Sequence, residues 1–312
     1  MQRNNSVISK NRKANLFLCS APRSGSTQLA TWLATHPDIS LPPIKEPNYF
    51  SAPDFDQDYV RRIHLNDVEP DDYVRSKSTK EYQFAIFREA DHYNYLFSQL
   101  ATKWRLDAST TYLQSPEAPQ KIYNYNPDAI IIILTRHPLE RALSHYRLAH
   151  RTGRTRRSIS EQIDGELNGT IEAESRFMLR SSMYLEGIER YKLLFPPENI
   201  LEIRFEGLIY DTKASLSNLA ERIYIDPEQF DLHKEKRNSG DAPIFPKLNV
   251  WAMETGLKPM IGRALPADVK SRLRKVLFRK SRQDVISQSD RSALQYALQD
   301  EIAAYELGRG EA

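Results

Sequence analysis

Four isoleucines and a leucine stand in a row at Ile130–Leu134 with no polar residue among them. A strand with one wet face alternates polar and apolar residues. An unbroken β-branched run instead fits a strand covered on both faces, as in the middle of a parallel sheet. Such a strand needs crossover helices above and below it, so the predicted fold class is α/β. Shorter runs repeat the pattern. Leu16–Ser20 reads as a strand followed by a helix over Ser26–Thr35, and Trp104–Asp107 as a strand followed by a helix that Ser115 caps and Pro116 begins. Pro138 opens a helix reaching about His150, and Ile200–Phe205 reads as a strand before a helix capped by Asp211. In Asp290–Leu307, Leu294, Leu298, Ile302 and Tyr305 share one helical face. The expectation is one domain over residues 1–312, with a loop-rich insertion at about 236–285, rich in Pro and Gly, and a closing helix at about 290–307.

Composition narrows the class of function. The 312 residues are 40% hydrophobic and 27% charged, an ordinary globular balance that excludes disordered and collagen-like chains. The longest apolar run, Ala129–Leu134, is far short of the roughly 20 residues of a membrane span. The first fifteen residues are polar and basic, and the apolar stretch behind them covers only Leu16–Cys19, so no secretory pattern is read and a cytoplasmic protein is expected. A net charge of +3 argues against a general nucleic-acid binder, and no nucleic-acid partner is expected. Basic residues do gather locally: four arginines in Arg151–Arg157 and seven cations in Lys270–Arg282. The second stretch, with Leu273, Val276, Leu277 and Phe278 among its cations, reads as a basic amphipathic helix. It would meet an anionic membrane surface or an acidic acceptor, or be a solvated face. Cys19 is the single cysteine and falls in a core strand, so it is read as structural.

Between the first strand and its helix lies Ala21-Pro22-Arg23-Ser24-Gly25-Ser26-Thr27-Gln28. A short loop of small and hydroxyl residues at a helix start points several amides, and about half a positive charge, at one spot, which suits a phosphate. A nucleoside triphosphatase loop would carry Gly five residues before Gly25 and Lys after it; Ser20 and Ser26 stand there instead. The isoleucine strand likewise ends in Thr135, Arg136 and His137 where a magnesium-binding Asp would be expected. Arg136 leaves the carboxyl end of its strand and Ser144 follows two helical turns later, so both can reach one phosphate. No metal site is expected.

Together these segments resemble the sulfotransferases that use 3′-phosphoadenosine 5′-phosphosulfate (PAPS). Pro22–Thr27 is similar to the family's 5′-phosphosulfate loop, and Arg136 with Ser144 to its 3′-phosphate signature. Phe195–Ile200, Phe205–Leu208 and Asp211 look like its later strand and helix. The resemblance implies a P-loop-like three-layer fold, a central parallel sheet flanked by helices, and an enzyme with PAPS as co-substrate. It implies nucleotide contacts from Arg23, Ser24, Gly25, Ser26, Thr27, Gln28, Arg136 and Ser144, with Tyr184 and the segment Lys236, Arg237 and Asn238 as further candidates. Lys45-Glu46-Pro47-Asn48-Tyr49-Phe50 resembles a segment of the carbohydrate-modifying, heparan-sulfate-type branch in which the Glu is the proposed general base.

The implied acceptor is therefore a hydroxyl of a glycan, a glycolipid or a small, phenol-like molecule, with Glu46, Arg23 and Lys45 as catalytic candidates. His36, His137 and His145 are rival bases, each better read as a packing or helix-end residue. Two departures bear on mechanism. Arg23 stands where many relatives have Lys, and a guanidinium is a poor proton donor. Ala108 replaces an active-site lysine of the branch, leaving Lys45 as a substitute cation. Rival readings are a kinase-like phosphoryl transferase, which would need magnesium and a loop lysine, and a catalytically dead nucleotide-binding or membrane-peripheral protein.

Overall fold

The structure, a computed structural model, describes residues 12–62, 65–152, 154–173, 176–233, 241–243, 278–280 and 286–307. Its strands are β1 (Leu16–Ser20), β2 (Ile39–Ser40), β3 (Ile44–Glu46), β4 (Tyr82–Phe84), β5 (Trp104–Asp107), β6 (Ile130–Thr135), β7 (Ile200–Arg204), β8 (Asp241–Pro243) and β9 (Phe278–Lys280). The helices are α1 (Ser26–Leu33), α2 (Gln57–Arg62), α3 (Pro70–Arg75), α4 (Ala90–Ser98), α5 (Ala118–Tyr125), α6 (Pro138–Thr152), α7 (Ile159–Leu167), α8 (Leu185–Lys192), α9 (Phe205–Tyr210), α10 (Thr212–Arg222), α11 (Gln288–Ala297) and α12 (Gln299–Leu307).

Five strands form one parallel sheet in the order β2-β5-β1-β6-β7. The isoleucine strand is interior, pairing Leu16–Ser20 with Ile130–Leu134 on one side and Ile200–Arg204 with Ile131–Thr135 on the other. Every residue of β1 and β6 is buried. Because strand side chains alternate, the run feeds two cores at once. Leu16, Leu18, Ile130, Ile132 and Leu134 pack with Leu29 and Leu33 of α1 and with Leu216 and Leu219 of α10. Phe17, Cys19, Ile131 and Ile133 pack on the other face with Tyr93 and Phe97 of α4, Ile122 of α5 and Tyr191 of α8. The result is the expected three layers. A third cluster joins Leu139, Leu143 and Tyr146 of α6 to Ile163 of α7 and to Leu294, Leu298 and Ile302 of the last helices.

Several boundaries depart from the sequence reading. The helix after β5 begins at Ala118, not Pro116, although Ser115 Oγ does accept the Ala118 amide at 3.1 Å. Strand β7 ends at Arg204 and Phe205 already begins α9, while Asp211 caps α10 through the Ala214 amide as expected. The closing helix is two, broken at Leu298, whose backbone leaves helical geometry; its four predicted apolar residues are nonetheless buried. Of the basic stretch 270–282, residues Phe278–Lys280 form a strand antiparallel to Asp241–Pro243, so a helix does not run through them; the rest lies outside the described residues. Among the described residues no helix is long and apolar enough to cross a membrane.

Candidate functional site

Because β1 and β6 are neighbours, the loops leaving their carboxyl ends meet, at the edge where open α/β sheets bind ligands. After β1 the chain turns into α1 with left-handed backbone at Arg23 (φ 77°) and Gly25 (φ 94°). Glycine is required at the second position. A Cβ there would stand 2.6 Å from Cε2 of Phe205, and closer still to Cδ2. Arg23 adopts the same region despite its side chain, at a cost of about 1–2 kcal/mol, as residues at functional turns do. Gly25 is also the cap of α1 and offers no capping side chain, and the first turn holds no acid. The opening amides and the positive end of the helix dipole are therefore left for an anion.

Arg23 Nε donates to Ser144 Oγ at 3.2 Å, tying the loop to α6. Arg136 donates Nη1 to the Arg23 carbonyl at 3.2 Å and lies over the Phe205 ring, 4.9 Å from its centroid. Arg23, Arg136 and Ser144, predicted from separate segments, thus converge. Burial, followed by the charges of Arg136 and Arg151, lowers the pKa of Arg23. Ser20 Oγ, Ser24 Oγ, Gln28 Nε2 and Arg136 Nε are buried without a hydrogen-bond partner. The Tyr184 hydroxyl, also unpartnered, comes beside Ser24 without completing a hydrogen bond, and burial pushes its pKa up to about 12. Buried polar atoms are ordinarily satisfied, so this cluster fits a polyanionic ligand that supplies the missing acceptors.

Glu46 ends β3, which pairs in parallel with β4. Its side chain is buried, with Oε1 accepting from Lys45 Nζ at 2.8 Å and Gln83 Nε2 at 2.6 Å, and Oε2 from Thr110 Oγ1 at 2.9 Å. Thr110 follows β5, the neighbour of β1, so Glu46 belongs to the same carboxyl edge as the phosphate loop. Lys45 Nζ also donates to the Ala108 carbonyl at 3.3 Å, which places its amine over position 108. Behind this group Asp107 is fully buried. Its carboxylate accepts from Tyr93 and Tyr112 hydroxyls, both at 2.8 Å, and from Ser109 Oγ at 2.7 Å and Ser109 N at 3.0 Å. Burial raises its pKa to about 6 against the pull of those hydrogen bonds. Ser109 Oγ in turn accepts the Asn48 amide, and Asn48 Nδ2 donates to the Glu46 carbonyl, so a buried polar chain holds the segment around Glu46.

The rival bases separate. His36 lies beyond the far end of α1, accepting the Asp38 amide at Nδ1 and contacting the Asp226 carbonyl at Nε2. His145 is held well below the usual imidazole range by burial and then by Arg141, whose Nη1 occupies its Nδ1 at 3.0 Å. His137 faces Tyr305 and Glu306. Lys236, Arg237 and Asn238 lie outside the described residues. The sequence reading missed Gln83 and Thr110, which hold Glu46, and Phe205, which touches both Gly25 and Arg136. Thr110 stands two residues beyond Ala108, a position marked above, whereas Gln83, on a three-residue strand, carries no sequence signal. Among the described residues no cluster of His, Cys, Asp and Glu is arranged to hold a metal ion.

A family model described as the sulfotransferase family matches residues 15–228. A bifunctional heparan sulfate N-deacetylase/N-sulfotransferase 1 of Caenorhabditis briggsae is 23% identical over 241 residues, covering 72% of this chain and 24% of the relative. The chain thus matches about a quarter of that curated relative's length. The solved sulfotransferase of Alicyclobacillus acidocaldarius is 26% identical, covering 72% of this chain and 87% of that one with a TM-score of 0.58. A mouse sulfotransferase complexed with PAP is 14% identical, covering 96% of this chain and 87% of that one, with a TM-score of 0.49.

Proposed function

The chain belongs to the sulfotransferase family, and from that premise we propose that it moves the sulfuryl group of PAPS to a hydroxyl of a carbohydrate or glycolipid. One observation carries the nucleotide half of this reading: the meeting of Arg23, Arg136 and Ser144 at a helix start whose buried polar atoms lack partners. The carbohydrate half is supported by the Lys45-Glu46-Pro47 segment and by the heparan-sulfate relative.

In this reading Arg136 and Ser144 take the nucleotide's 3′-phosphate. Arg23, Ser24, Gly25, Ser26 and Thr27 take the 5′-phosphosulfate, with Gln28 and Tyr184 close by. Lys236, Arg237 and Asn238 remain proposed contacts by resemblance alone. The acceptor oxygen attacks sulfur as the bond from sulfur to the bridging phosphate oxygen breaks. Its proton passes to Glu46, and adenosine 3′,5′-bisphosphate leaves. A carboxylate offers about four lone-pair positions, and three are occupied, two on Oε1 and one on Oε2. Oε2 therefore keeps a place for the acceptor's proton. Charge growing on the departing phosphate meets Arg23 and the α1 amides, arranged before the reaction begins. Lys45 takes the place of the missing lysine at position 108.

Transfer of labelled sulfate from PAPS onto a panel of glycans, glycolipids and phenols tests the reading. Incorporation into a sugar hydroxyl is expected, and label on none of the glycans or glycolipids would refute it. Chelation by EDTA is expected to leave the rate essentially intact, because the sulfuryl group carries less charge than a phosphoryl group and Arg23 with the helix start meets the leaving phosphate. Activity lost in EDTA and restored by magnesium would favour a kinase-like enzyme. Arg136→Ala removes a charge-assisted phosphate contact worth roughly 1.5–3 kcal/mol. Calorimetry with the bisphosphate should show affinity falling about tenfold to a hundredfold; an unchanged value would take Arg136 out of the site.

A further inference from the structure

Arg141 lies on α6, five residues beyond Arg136, and its side chain is fully buried. A guanidinium in such a place ordinarily has a carboxylate partner. Here all five N–H donors go to other groups. Nε donates to Ser182 Oγ at 2.6 Å; Nη1 donates to the Pro22 carbonyl at 3.1 Å and to His145 Nδ1 at 3.0 Å. Nη2 donates to the carbonyls of Phe177 at 2.9 Å and Met178 at 2.6 Å. Among the described residues no ion pair reaches it. The acid that attracts it, Glu166, gives its own oxygens to the amides of Met178 and Leu179. His145 must accept at Nδ1, since a guanidinium only donates, so its ring is neutral with the proton on Nε2.

The contacts span three parts of the chain. Pro22 is the residue before the left-handed turn at Arg23, so its carbonyl sets the aim of the phosphate loop. The 177–182 segment leads directly to Tyr184 beside Ser24. Helix α6 itself carries Ser144. A lysine, with three donors on a single atom, cannot reach all of these at once. Burial lowers the pKa of Arg141 to about 10, which leaves it a cation at neutral pH, and Arg136 and Arg23 are near enough to push in the same direction. Three positive charges are thus held together with no acid paired to Arg141.

We infer that Arg141 is a positioning residue for the nucleotide: it fixes the phosphate loop through Pro22 and the approach to Tyr184 through 177–182, and adds an unpaired positive charge behind the bound phosphates. The inference rests on the nucleotide reading proposed above. It does not touch the ligand, because none of its donors is free.

The test compares Arg141→Lys, which keeps the charge and loses the fork, with Arg141→Gln, which loses both. Each is folded and checked by melting temperature before calorimetry with adenosine 3′,5′-bisphosphate at several salt concentrations. Affinity is expected to fall about tenfold in the Lys variant and about a hundredfold in the Gln variant. The salt dependence should be shallower in Gln than in Lys, since a charge has gone. KM for PAPS should rise far more than kcat falls. A residue that only supported the fold would lower the melting temperature and leave the affinity and salt dependence of the folded protein unmoved; that result overturns the assignment. If neither variant folds, Ser182→Ala removes one acceptor and leaves the charge in place. It is expected to weaken binding about threefold to tenfold, and wild-type affinity in it is equally contrary. A wild-type protein that fails to bind the bisphosphate overturns the nucleotide reading and this assignment with it, whereas wild-type binding with unmoved variants overturns this assignment alone.

Discussion

Glu46→Gln is expected to lower kcat roughly a hundredfold to ten-thousandfold while nucleotide affinity stays nearly constant. The split follows from the geometry. Both Lys45 and Gln83 donate to Oε1, so a glutamine can keep its carbonyl oxygen there and turn its amide toward Thr110, whose hydroxyl then accepts. The shape survives and only the proton acceptor is lost. Glu46 makes no hydrogen bond to Arg23, Arg136 or Ser144, so the anion cradle has no reason to loosen. Turnover, bisphosphate affinity and melting temperature measured on one preparation decide the matter. Near-normal kcat would remove Glu46 as the base and turn attention to His137, since His36 lies at the far end of α1 and the Nδ1 of His145 is taken by Arg141.

Gly25→Ala is expected to be the most damaging single methyl group that can be added to the site. The backbone at φ 94° disfavours any side chain, and the new carbon overlaps the Phe205 ring. Together these effects amount to roughly 2–5 kcal/mol, a large share of the 5–15 kcal/mol that holds a typical domain together. The displaced ring is the one beneath Arg136, so bisphosphate affinity should fall by more than tenfold in whatever protein remains folded. A double-mutant cycle with Phe205→Ala separates the two causes: a coupling of roughly 1–3 kcal/mol is expected from the overlap alone. Zero coupling in denaturant melts would show that the ring yields freely and that backbone conformation is the whole penalty.

Much of the frame could be read from the chain because it rests on unusual runs. Ile130–Leu134 is apolar on both faces, and a strand that feeds two cores leaves no other periodicity to confuse it with. Gly25 and Pro138 punctuate the neighbouring helices. The segment around Glu46 was legible only by resemblance. Strands β3 and β4 have three residues each, partly exposed, too few for alternation to register. Their pairing depends on a contact between residues about 40 positions apart, which no local rule encodes. The closing helix illustrates a different failure: its apolar spacing is genuine and all four residues are buried, yet the chain breaks at Leu298, because burial constrains which side faces inward and not whether the axis stays straight. Arg141 went unnoticed although it stands between Arg136 and Ser144, since a charge on a helix reads as solvent-facing until the neighbours that bury it are known.

The far-reaching supports of the cradle have a consequence in time. Arg23, Arg136, Arg141 and Ser144 all lie within the first half of the chain. Ser182 and the 177–178 carbonyls come later. Glu206, whose Oε1 accepts the His137 amide at 3.1 Å and whose Oε2 accepts the Tyr305 hydroxyl at 2.5 Å, needs α12 in place. Glu301 of α12 accepts the amides of Tyr184 and Leu185 at the start of α8. A ribosome adding 5–20 residues per second needs on the order of ten to thirty seconds to travel from α6 to α12. During that interval the ties inside the first half, from Arg23 to Ser144, Arg136 to the Arg23 carbonyl and Arg141 to Pro22 and His145, have all their partners, while those to 177–182 and through Glu301 and Tyr305 wait for chain still to be made.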